Sequence, residues 1–229
     1  MTKQSTPDQN HAGTGPEMPD AMKMTTVPDL ERRMVSFTPG TRISTRKGLV
    51  AVENLEVDDE VITRERGYQP IRWIGSSQLT AAELNQNPQL QPVLVRKGAL
   101  AKKQPLCDTL LNPNQRILII NAEDDPHDAP EGLVAISALQ DRDGVERVAA
   151  SDVTYIHLVF DLHPVVMGDG VWSDSFQPGN TKARHKSDRG QVVDLFPELT
   201  PMSTNSEPVC AQAAAEKEYA QRLSGQSQE

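Results

Sequence analysis

Aromatic residues are scarce in this chain, 4% of 229 positions, and hydrophobic residues as a whole reach only 37%. Globular domains usually show ~45–50% on a tally that includes glycine. That inventory builds one core of ordinary quality, not two. Long apolar runs are missing too. The longest aliphatic stretch is Ile117 to Ile120, whereas a bilayer span needs about 20 apolar residues, so no membrane span is expected. The opening Met1-Thr2-Lys3-Gln4-Ser5-Thr6-Pro7 lacks the apolar stretch of a secretory signal. The expectation is a protein that is cytoplasmic at synthesis, with any export taking a signal-less route. Cysteine is nearly absent: Cys107 and Cys210 cannot make a disulfide scaffold and fit a reduced compartment. Positive charge is in deficit, 23 basic against 32 acidic residues for a net charge of −9. This disfavours a phosphate backbone as the main partner, so no nucleic acid is expected. Composition excludes these classes and names no function.

What is present divides the chain into three parts. Residues 1–33 are rich in Thr, Pro, Asp, Asn, Gly and Met without a sustained apolar period, and such a segment buries too little surface to offset the entropy of ordering it. It reads as a disordered N-terminal tail. From Met34 to residue 178, short β-branched and aliphatic runs recur between turn signals, the pattern of an all-β domain. Arg42–Thr45 and Leu49–Val52 flank Arg46-Lys47-Gly48 as a hairpin whose glycine supplies a positive φ. Val61–Arg64 and Pro70–Ile74 flank Glu65-Arg66-Gly67 as a second pair. Thr80-Ala81-Ala82-Glu83 has capping-box spacing and predicts a short helix in the Gln/Asn-rich stretch 76–91. Further strands are expected at 92–96, 109–111, 116–120, 145–148 and 153–160. Residues 179–229 form a C-terminal tail with one or two short helices, at 188–196 and 211–223, the latter rich in strong helix formers. About 13 residues alone are marginal as a helix, so this segment is either a frayed tail or a helix that docks on a partner.

Three stretches carry chemistry. They are Val35-Ser36-Phe37-Thr38-Pro39-Gly40-Thr41, then Asn112-Pro113-Asn114-Gln115-Arg116, then the run from Tyr155 through His163 to Phe176. Read as one strand, Tyr155 to His163 puts Ile156, Leu158, Phe160 and Leu162 on one face and Tyr155, His157, Val159, Asp161 and His163 on the other. The second face gathers two imidazoles and a carboxylate. Such a row suits acid/base work, a metal site, or an ordinary Asp–His pair in solvent. The acidic loop 123–128 and the Asn180-Thr181 pair are weaker candidates, best read as a solvated turn and as sequence outside the domain.

Together these stretches resemble the Hint superfamily, the hedgehog/intein autoprocessing modules, and in particular its bacterial, intein-like members. The segment SFTPGTRISTRKGLVAVENLEVDDEVIT (36–63) is similar to the family's first block, usually Cys-Phe-x-x-Gly-Thr. YQPIRWIG (68–75) and HLVFDLHPVVMGDGVWSDSF (157–176) are similar to later blocks of the bacterial subgroup. The resemblance spans about 34–178 and implies a Hint fold of long, curved antiparallel strands whose first and last blocks meet at a shared centre. It also implies self-processing chemistry. The first side chain, here Ser36, attacks the Val35 carbonyl; a central histidine protonates the departing amide nitrogen; a nearby Thr or Ser positions the peptide.

The sequence departs from that pattern at each of these positions. Ser36 stands in place of Cys, and a hydroxyl has no comparable ionised fraction near neutral pH. Where relatives read Ser-Pro-Gln-His-Arg, this chain has Asn112 and then Gln115 at the proton donor's position. An amide does not cycle a proton at pH 7. Losing a general acid costs about 10²–10⁴-fold in rate. In the last block the resemblance places Asp161 and His163 toward the reaction centre, and Asp174 with Ser175 where a cyclising residue and an acyl acceptor would stand. The expectation is a Hint module whose self-cleavage is lost or much weakened, kept for binding or structure, with a protein partner engaged through the tails. No cofactor and no metal are implied. The rival reading is a working domain that cleaves or splices through a Ser36 ester. A third is a metal-dependent hydrolase built on His157, Asp161 and His163.

Overall fold

A computed structural model describes residues 34–101, 103–120 and 131–176. The expected tails, the acidic loop 123–128, Asn180-Thr181, Cys210 and both expected C-terminal helices lie outside these residues. The described part is mostly antiparallel strand with one short α-helix, the all-β architecture expected.

The first hairpin pairs β1 (Arg42–Thr45) with β2 (Gly48–Ala51), Thr45 opposite Gly48. The loop is therefore Arg46-Lys47, and Gly48, at φ 106°, opens β2 in a conformation that costs other residues. The second hairpin closes earlier than expected. β3 (Glu60–Thr63) pairs with β4 (Gly67–Pro70), Thr63 opposite Gly67, because the Thr63 hydroxyl donates to the Gly67 carbonyl (2.7 Å) and accepts from the Arg66 amide. Residues 73 and 74 thus leave the hairpin and begin a separate strand, β5 (Trp73–Leu79). The helix Ala81–Gln86 carries the expected capping box between Thr80 and Glu83.

The larger sheet adds β8 (Arg116–Ile120), β9 (Glu131–Ala135), β12 (Val165–Gly168) and β13 (Val171–Asp174) to the two hairpins. Its order is β2-β1-β3-β12-β13-β8-β9, with β4 attached to β3. The β12–β13 hairpin turns on Asp169-Gly170, both at positive φ (48° and 80°), the two-residue I′ geometry that Asp-Gly favours. Asp169 also ties this turn down. Its carboxylate accepts from the Arg42 amide (3.0 Å) and the Thr109 hydroxyl (2.6 Å).

Two smaller ribbons complete the described part: β10 (Val145–Arg147), β6 (Val93–Val95) and β7 (Thr109–Leu111) in one, and β11 (Val153–Val159) with β5 in the other. Phe37 joins them. It exchanges both backbone hydrogen bonds with Ile156 (2.8 Å each) and bridges Leu111 on its other side. The short segment before β1 is thereby the middle strand between β7 and β11. Its ring is 1% exposed and packs with Ile43, Val61, Ile71, Leu158 and Val166.

β11 departs from the two-faced strand expected over 155–163. It ends at Val159, and from Tyr155 to Val159 every residue is buried on either face. With the first block and β5 as neighbours it has no solvated face, so the alternation read from sequence does not separate core from surface. Beyond Phe160 the chain turns, and Asp161 is exposed. No helix among the described residues is long and apolar enough to cross a membrane.

Candidate functional site

The first and last blocks meet. Met34 and Val35 pack with Trp73, Val159 and Phe176 in one apolar cluster, and the Phe176 amide donates to the Leu158 carbonyl (3.1 Å). The Val35-Ser36 peptide therefore lies under cover, Val35 at 9% and Ser36 at 1% exposure.

Asn112, fully buried just beyond β7, reaches Ser36. Its Nδ2 donates to Ser36 Oγ at 2.7 Å. Its own Oδ1 accepts the Asn114 amide (2.7 Å), and its backbone carbonyl accepts the Gln115 amide (2.8 Å). This tight turn fixes which end of the amide faces the hydroxyl. Because Oδ1 is engaged by the turn, only the NH₂ group is offered to Ser36, and an amide NH₂ accepts no proton.

Gln115 sits just before the next strand, β8, and points elsewhere. Its Nε2 donates to the Asp174 carbonyl (2.8 Å), while its Oε1 is buried without a hydrogen-bond partner. The Asp174 carboxylate, 1% exposed, is gripped through Oδ2 by Arg116, whose Nε lies at 2.7 Å and whose Nη2 also contacts it. His163 Nε2 lies 2.8 Å from the Ser175 carbonyl and 2.6 Å from Asp174 Oδ1. Oδ1 receives no well-directed hydrogen bond, so the ring N–H is aimed at the Ser175 carbonyl. The Ser175 hydroxyl donates to the Pro164 carbonyl (2.7 Å).

The residue that touches the Val35 carbonyl is His157. Its Nδ1 lies 3.1 Å from that oxygen and its Nε2 3.3 Å from Ser77 Oγ. A carbonyl only accepts, so Nδ1 carries the proton and Nε2 accepts from the serine. Burial pushes the His157 pKa down to about 4, the hydrogen bond to Val35 opposing this in part. The ring is neutral at physiological pH. Phe176 packs against it at 5.4 Å between centroids.

Of the residues singled out in the sequence, the structure brings Ser36 to Asn112, and Gln115 and His163 to Asp174 and Ser175. It does not bring Asp161 to any of them. That side chain is 62% exposed and pairs with Arg72 (2.8 Å), which also reaches Asp58. His157 and His163 do not share a face, since the strand ends between them. Among the described residues no three His, Cys, Asp or Glu side chains gather as a metal-ligand set. In the sequence His157 is only one member of a polar row. Its signal was its setting, a lone imidazole within Tyr155-Ile156-His157-Leu158-Val159-Phe160, where a buried ring needs a polar partner.

The chain matches the Hint domain family over residues 35–180. It is similar to solved structures of a bacterial intein-like domain from Clostridium thermocellum (14% identity, 63% of this chain and 99% of that one, TM-score 0.39). It is also similar to the MchDnaB-1 intein (9%, 61% and 99%, 0.37) and the gp41-1 intein (9%, 61% and 97%, 0.37). No curated protein matches it.

Proposed function

Because the chain belongs to the Hint domain family, we propose that its self-processing acyl shift at Val35-Ser36 is lost or much weakened and that the fold is kept as a binding or structural module. The observation that carries this reading is the hydrogen bond from Asn112 Nδ2 into Ser36 Oγ. Ester formation needs the hydroxyl proton removed and the amide nitrogen protonated as it leaves. Asn112 donates to the hydroxyl and takes nothing from it. Gln115 is bound to the Asp174 carbonyl and does not titrate. The missing general acid alone accounts for about 10²–10⁴-fold.

The last block supports the same reading. An Asp174 carboxylate held by Arg116 is anchored away from attack on its own backbone, and the Ser175 hydroxyl is committed to the Pro164 carbonyl. A protein partner held through 1–33 or 179–229 fits the module role. One observation favours residual activity through a Ser36 ester instead: the hydrogen bond from His157 to the Val35 carbonyl, which makes that carbon a better electrophile.

Intact mass under denaturing conditions, after incubation with and without hydroxylamine, separates the two. The uncleaved chain is expected in both. A fragment beginning at Ser36, abolished by Ser36→Ala, overturns the proposal. Ser36→Cys combined with Gln115→His is expected to switch cleavage on, and silence of that variant counts against the roles given to these two positions.

A further inference from the structure

We infer that His157 is the carbonyl-polarising residue of this site: its Nδ1–H holds the Val35 oxygen and would hold the oxyanion formed there. The inference rests on the reading that Val35-Ser36 is the bond at which the fold acts.

Three features build the donor. His157 is central in β11, opposite Gly75 of β5, where the glycine leaves room for the Trp73 indole to lie across from it. Ser77, two residues along β5, donates to Nε2 and so fixes the tautomer that places the proton on Nδ1. The surroundings exclude water: His157 is 0% exposed, Val35 9% and Ser36 1%, and Val35 packs in one apolar cluster with Trp73 and Phe176. A hydrogen bond in such a site is stronger than the same bond in water.

In the step it serves, Ser36 Oγ forms a bond to the Val35 carbonyl carbon and the carbonyl π pair moves onto the oxygen facing Nδ1–H. Collapse restores the carbonyl and breaks the bond to the Ser36 nitrogen. The hydroxyl proton ends on that nitrogen, giving an ester and a free amine with no other reactant. His157 gives up no proton; it stabilises charge. The site thus retains its electrophilic half while the residues that move the proton have changed.

Val35-Ser36 is the single Val-Ser pair in the chain. Full-length protein carrying carbonyl-¹³C valine and ¹⁵N serine therefore gives one carbonyl-to-amide NMR correlation for this bond. His157→Phe, which removes the donor, is expected to move the Val35 carbonyl resonance upfield. His157→Asn, whose NH₂ sits near the place of Nδ1, should restore much of the shift. Ser77→Ala should move it the same way by less, and it guards against a His157→Phe variant that does not fold. An unmoved carbonyl in Ser77→Ala and His157→Phe overturns the inference. In the Ser36→Cys, Gln115→His background, His157→Phe is expected to slow thiol-induced cleavage by about 10²–10³-fold, as loss of one oxyanion donor does. An unchanged rate there overturns the catalytic role even if the carbonyl shifts. If that background does not cleave at all, the reading of Ser36 and Gln115 fails by itself, and the carbonyl shift still decides what His157 does.

Discussion

His157 is uncharged in the folded protein and free to take a proton in the unfolded chain, and that difference sets a pH dependence. Its folded pKa, about 4, lies below the ordinary histidine value of 6.5. Between these values the unfolded chain binds more protons, so stability is fully present above pH ~6.5 and falls as pH drops toward ~4, by about 3 kcal/mol in all. Urea denaturation at a series of pH values should show this loss, and His157→Asn should flatten it. At this scale the sequence marked Gln115 as an amide where the resemblance puts a proton donor, and Asn112 as an amide where it puts a positioning Ser. It was not legible where only burial distinguishes two polar residues. Asp161 and His157 share one alternating row in the sequence, yet one faces solvent beside Arg72 and the other a carbonyl in the core. Nothing in a period of two says where a strand stops.

Among the elements, the hairpins with a clear turn were readable, as were β7 and β8 at their full bounds. β12 and β13 were not, because nearly buried strands do not alternate, although Asp169-Gly170 was a usable turn signal. That turn gives a graded expectation. A Cβ on Gly170 would stand 2.6 Å from Leu106 Cγ at a φ of 80°, whereas one on Gly40, at φ 90°, meets nothing within 4 Å. Gly40→Ala should cost about 1 kcal/mol from backbone strain alone, and Gly170→Ala about 1–3 kcal/mol more by crowding; thermal melts of the two variants check the ordering. Gly75 has a different duty. A Cβ there would fall 1.9 Å from the Trp73 ring, so the indole lies over the glycine. Gly75→Ala should displace that ring from the Val35–Phe176 cluster, seen as a red-shifted tryptophan emission and a stability loss of about 1–3 kcal/mol.

For the molecule as a whole, the order of blocks along the chain conveyed the fold class, but not which strands become neighbours. Phe37 shows why: its pairing with both Leu111 and Ile156 spans most of the domain, and long-range pairing leaves no local mark. The same arrangement makes the residues just upstream part of the core. Met34 is 0% and Val35 9% exposed, each contributing about 1.5–3 kcal/mol by burial. Proteins lacking residues 1–35 and 1–33 should therefore differ by about 3–6 kcal/mol in denaturant unfolding. Those two side chains, seated against Trp73 and Phe176, also govern the fate of the pieces after any scission at Val35. Among the described residues, the severed leader would be held by those last two alone. Burial of about 3–6 kcal/mol corresponds to a dissociation constant of about 10⁻⁵–10⁻² M at best, so the halves would part on a sizing column loaded at micromolar concentration.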